Sequence, residues 1–195
     1  MYSQGLNPTS NNGIIWIGSD GPNVFTFSNS GGNNSVTLIV WDAPSGDYLS
    51  SFMNAVSSQV SYSMSYGDTV DISVANGVSG AWSALYNYGT TLSQYGQINN
   101  TWGEFTTGSY ATFDVTREVN MAGNAMSIST TGCVSNMTTC VFECDSGNTC
   151  TDSGTYELLN CDPGSQPGAT YGDDGGNPSG GCQGWSNGGN LNIAL

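Results

Sequence analysis

The chain has 195 residues, of which 37% are hydrophobic and 8% charged, whereas a typical globular domain is roughly 25% charged. Fifteen acidic residues face a single base, Arg117, with no histidine, for a formal net charge of −14. That balance excludes nucleic acid as a partner, because binding needs cations to displace counterions from phosphate, and an anionic membrane surface would repel the protein. Without His or Lys there is no histidine zinc site, no Ser–His pair, no Schiff base and no phosphate-loop lysine. No cofactor or metal is expected, and acid–base chemistry would fall to Asp, Glu and Tyr.

In chain order, short apolar–polar alternations bounded by Gly, Asn and Ser predict strands at Ile14–Ile17, Val24–Ser28, Val36–Trp41, Val60–Tyr66, Thr69–Ala75, Ala81–Tyr86, Thr101–Thr106, Thr112–Val119 and Ala125–Ser129. Val70, Ile72 and Val74 show the period of two cleanly, with Asp71 and Ser73 turned the other way. Only Leu49–Val56 has helical character. No apolar run approaches the roughly 20 residues of a membrane helix. The opening Met-Tyr-Ser-Gln-Gly-Leu lacks a charged n-region and an apolar stretch, so a mature form behind a start Met is expected. The prediction is an all-β antiparallel sandwich forming one domain, residues 1–195: a strand-rich body over about 13–130 and a disulfide-bound, loop-rich region over about 131–195.

All six cysteines, Cys133, Cys140, Cys144, Cys150, Cys161 and Cys182, lie in that last third, without a CxxC pair. An even count at such spacing predicts three disulfides and an oxidising compartment, with the pairing left open. The segment is poor in apolar residues, so cross-links are the natural means of ordering it. Sequons at Asn33, Asn99 and Asn136 agree with a secreted, extracellular or wall-associated monomer.

The most informative run is Trp102-Gly103-Glu104-Phe105, followed by Phe113-Asp114-Val115-Thr116-Arg117-Glu118. In extended chain Phe105, Phe113 and Val115 face the core, while Trp102, Glu104, Asp114, Thr116 and Glu118 share the opposite face. If the two strands pair as a hairpin, the acids lie roughly 5–8 Å apart, within the range of glycosidase carboxylate pairs. An indole beside carboxylates suits a sugar, whose C–H face stacks on the ring while the acids accept hydroxyl hydrogen bonds. Solvated acids with no partner are the plainer alternative. Arg117, a lone cation among acids, is expected to hold a carboxylate or loop in place. Tyr86, Tyr88 and Tyr95, with Trp185, offer a second stacking surface or pack as local clusters. The Asp-rich turns near Asp145 and Asp173 lack calcium-loop spacing.

Several runs resemble the secreted fungal proteins typified by the fourth Aspergillus fumigatus allergen, an allergen and effector-like family. They are Gly80-Ala81-Trp82-Ser83-Ala84, Asn100-Thr101-Trp102-Gly103-Glu104-Phe105, Phe113 to Met121, and Tyr156-Glu157-Leu158-Leu159-Asn160-Cys161 through to Gly180-Gly181-Cys182. The resemblance implies a fungal, secreted protein associated with a wall or a host surface. More distantly, Trp102-Gly103-Glu104-Phe105 and Phe113-Asp114-Val115 look like runs of the thaumatin-like proteins. There the matching Glu and Asp line an acidic cleft tied to β-1,3-glucan. Ala84 stands where that family has a cleft arginine. The resemblance implies a thaumatin-like sandwich that binds cell-wall β-glucan through Trp102, Glu104, Asp114 and Glu118 without hydrolysing it. The alternatives are an endo-β-1,3-glucanase with Glu104 as proton donor and Asp114 as base or stabiliser, and a host-surface elicitor with no glycan ligand.

Overall fold

A computed structural model describes residues 5–43, 57–150, 155–185 and 189–195. Leu49–Val56, where the sequence suggests helix, lies outside them. Each of the nine expected strands is present: β1 (Ile15–Ile17), β2 (Asn23–Ser28), β3 (Val36–Asp42), β4 (Val60–Met64), β5 (Thr69–Val74), β6 (Ser79–Tyr86), β7 (Trp102–Thr106), β8 (Thr112–Thr116) and β9 (Ser127–Thr130). The stretch expected as loop after Cys133 departs from that reading. Its described residues carry six more strands: β10 (Cys133–Asn136), β11 (Val141–Cys144), β12 (Tyr156–Leu159), β13 (Ala169–Asp174), β14 (Asn177–Gln183) and β15 (Asn190–Ala194). Several of these are polar or glycine-rich, so backbone pairing rather than an apolar pattern holds them in place. Among the described residues no helix is long and apolar enough to cross a membrane.

The protein is all-β. One sheet runs β1-β5-β2-β15-β9-β10, the other β12-β11-β8-β7-β6-β3-β4, and the β13–β14 hairpin joins the second sheet along β8. Pairing is antiparallel except where β15 lies beside β2 and β11 beside β8. The late strands are therefore woven into the sandwich. β15 sits between β2 and β9, with Leu191 and Ile193 buried.

The core between the sheets follows from the alternation. In β2, Phe25 and Phe27 point inward and pack edge-on against Trp82, and Phe25 also meets Phe105 and Trp185. Trp82 faces Gly103 across the β6–β7 ladder, and a Cβ there would fall 2.3 Å from the indole. Only glycine leaves the ring room. The disulfides join Cys133 to Cys182, Cys140 to Cys161 and Cys144 to Cys150. The first two are buried and tie β10 to β14 and the start of β11 to the end of β12. The third closes the short loop that follows β11.

Candidate functional site

Strands β7 and β8 form the expected hairpin, with Glu104 directly opposite Asp114 and Trp102 opposite Thr116. Phe105 and Phe113 form the inward pair of the same ladder and enter the main core. Period two then sends both acids to the sheet's other face. Part of that face is closed by a second apolar cluster of Ile39, Trp41, Ala81, Ile98, Trp102 and Val119.

Trp102 belongs to this cluster, which corrects its expected role as a sugar platform. Its side chain is 2% exposed, its ring stacks on Trp41, and its indole N–H donates to the Ile98 carbonyl at 2.9 Å. An aromatic strand residue beside another ring gains more from packing than from facing water. Of the two readings open for Trp185, packing holds rather than a second stacking surface: it is buried against Phe25 and Phe113. Tyr88 and Tyr95 are exposed, while Tyr86 is half-buried against the core.

Beside the second cluster an open groove of about 510 Å³ crosses the sheet face. Glu104, Asp114, Thr106 and Thr112 line it from the β7–β8 hairpin, and Thr170, Tyr171 and Ser179 from the β13–β14 hairpin. The second wall is held close by two glycines. Gly180 and Gly181 take φ angles of 137° and 124°, and a Cβ on Gly181 would lie 2.7 Å from the Phe113 carbonyl oxygen. Residues with side chains avoid both the angle and the approach. The β13–β14 turn is Gly175-Gly176, with φ of 64° and 89°, and Tyr171 on β13 is 48% exposed. Sequence reasoning missed Tyr171, although a Gly-Gly pair between two extended stretches is a hairpin signal.

Glu118 lies just past β8 and lines an adjoining cavity of about 100 Å³ with Trp102, Thr116, Val119 and Cys150. Glu104 borders both cavities, so the three carboxyls that the sequence singled out come together. The Glu118 carbonyl accepts from the Cys150 N–H at 2.8 Å, which fixes that backbone to the Cys144–Cys150 loop.

Arg117 serves elsewhere. Its guanidinium pairs with Glu143 and donates to the Met121 carbonyl, as its expected structural role requires. The chain's one basic side chain is thus engaged outside the groove.

Electrostatics follow from that arrangement. Burial pushes the Glu104 carboxyl up to about 7. Burial, followed by the Glu104 and Glu118 charges, holds Asp114 well above the ordinary carboxylate range. Glu118 is pushed up to about 8 by burial and then by Glu104, against a hydrogen bond with Thr116 that lowers it. Asp114 is 6% exposed, and its Oδ1 has no hydrogen-bond partner. A buried acceptor left unpaired is costly, so this atom favours the protonated form or an incoming donor.

No family model matches the chain, and no curated protein matches it.

Proposed function

We propose that this is a secreted protein, of the fungal allergen and effector type that its motifs resemble, which binds a wall polysaccharide in the β7–β8 groove without hydrolysing it. β-Glucan is the neutral glycan implied by the thaumatin-like resemblance. One observation carries the reading: Glu104 and Asp114 sit opposite each other in a groove whose other wall bears the exposed Tyr171 ring. Carboxyls that accept hydroxyl hydrogen bonds beside an aromatic face are the elements of a sugar subsite. The three disulfides are compatible with an oxidising, extracellular setting.

A second reading, an endo-β-glucanase, has its own support. Glu104, at about 7, can keep its proton near neutral pH as a general acid must, opposite a second carboxyl. Pull-down on insoluble β-1,3-glucan, paired with reducing-sugar release from a soluble β-1,3-glucan, separates the two. We expect retention without release, and loss of retention in Tyr171→Ala. Release by wild type that disappears in Glu104→Gln would make the protein a hydrolase. Neither retention nor release would leave the host-surface protein standing.

A further inference from the structure

Resting on that reading, and naming the ligand more closely, we infer that the groove selects glycans carrying free 2-amino groups, an amino-sugar polymer whose ammonium docks on the Asp114 carboxyl. Neutral sugar hydroxyls can donate to Asp114, but they do little to support its ionised form, which burial and the neighbouring Glu104 and Glu118 disfavour. The protein supplies no cation of its own here. Its only basic side chain, Arg117, is committed to Glu143 and the Met121 and Met137 carbonyls. Asp114 nevertheless lines the groove, 6% exposed, and its enclosed Oδ1 has no hydrogen-bond partner, so a cation docking on the carboxyl from the groove side would support a charge that the protein itself leaves unsupported.

The remaining lining argues for a sugar rather than a basic peptide. Thr106, Thr112, Thr170, Ser179 and the Gln183 amide are neutral groups suited to hydroxyls, and Tyr171 offers a ring for a pyranose face. The formal charge of −14 adds long-range attraction for a polycation.

Binding should also depend on pH. The groups that act on Asp114 and its neighbours are Glu104 on β7, Glu118 past β8 and, through both of these, the Tyr156 phenol on β12. The β13–β14 hairpin lines the groove with Thr170, Tyr171, Ser179 and Gln183, none of which carries a carboxyl. A permanently charged ligand should therefore bind more tightly as pH rises through about 7 to 8 and the glutamates lose their protons. A free-amine ligand, whose weakly basic amino groups lose their protons near neutrality, should show an optimum instead.

The test is calorimetric titration of the full chain with matched oligomers: a β-1,4-linked glucosamine hexamer, its N-acetylated form, its N-trimethylated form, a β-1,3-glucan hexamer and hexalysine. We expect the free-amine and trimethylated hexamers to bind best, with affinity falling as salt is raised. Asp114→Asn should weaken the free-amine hexamer by roughly tenfold or more, as when a buried charge pair is truncated. Glu118→Gln, an independent second variant, should weaken it less. Tyr171→Ala should weaken every sugar. Equal affinity for the amine and N-acetyl hexamers overturns the inference, and the wider sugar reading then survives if Tyr171→Ala weakens both. Hexalysine binding as tightly as the amino sugar overturns the choice of a glycan. No binding by any oligomer removes both readings together.

Discussion

At the scale of single residues, Trp102 beside the smaller cavity and Tyr171 on the groove wall have opposite duties. Trp102 is 2% exposed and stacked on Trp41, so its ring fills a cluster that supports the sheet's outer face. Truncating it removes a large buried side chain and leaves a void, and Trp102→Ala should cost about 3–5 kcal/mol of stability. Tyr171 is 48% exposed and closes no core, so Tyr171→Ala should stay within about 0.5 kcal/mol of wild type. Denaturant titration of the two variants checks this contrast. Equal losses would mean that Tyr171 is structural, and the groove would lose its stacking face. The contrast also explains why the sequence misassigned the platform. A Trp two residues from a Glu on one strand shares its face, but period two cannot reveal that Trp41 and Ile98 cover the indole. The Glu104–Asp114 pairing was legible because both residues alternate with phenylalanines whose inward direction is unambiguous.

Among the elements, the β13–β14 hairpin decides whether the acids sit in a groove or on an open sheet. Its β14 strand reaches β8 only at Cys182 and Gln183, and Gly180 and Gly181 make that approach. A Cβ on Gly180 would lie 2.1 Å from the Thr170 carbonyl oxygen, at a φ of 137°. Gly180→Ala should therefore destabilise the protein by about 2 kcal/mol or more. It should also lower affinity for any groove ligand beyond what the lost stability explains, because Thr170 and Tyr171 move with the hairpin. Melting and binding measured on the same preparation test both parts, and wild-type behaviour would show that the wall needs no glycine. These late strands were the least legible elements. Asn177-Pro178-Ser179-Gly180-Gly181 has no apolar side chain but Pro178, so it has no period to read, and its strand conformation is imposed by pairing with β13. β15 was different. Leu191 and Ile193 alternate with asparagines, and that brief signal went unread beside the glycines that precede it.

Across the whole molecule, the acidic composition and the groove act on stability in the same direction. Glu104 and Glu118 have an ordinary value of 4.5 and stand at about 7 and about 8 in the fold, while Asp114 is raised from 3.8. A carboxyl with a raised folded value binds more protons folded than unfolded throughout the interval between the two values. Stability therefore falls as pH rises across that interval, and levels off beyond it. Self-repulsion among fifteen acids adds to the fall. The protein should melt highest near pH 4 to 5 and progressively lower up to about pH 8, where the unfolded and folded values of the glutamates are both passed. Added salt should recover the general repulsion but little of the groove's share, because buried charges are poorly screened. The double variant Glu104→Gln, Glu118→Gln separates the two contributions. It should flatten the melting profile between about pH 5 and 8, and leave a salt-sensitive remainder of the kind surface charge produces. Melting scans across pH, at low and high salt, measure this directly. A profile equally steep in the double variant would place the pH sensitivity outside the groove, and Glu104 and Glu118 would then be ordinary acids rather than members of a cluster held short of a cation.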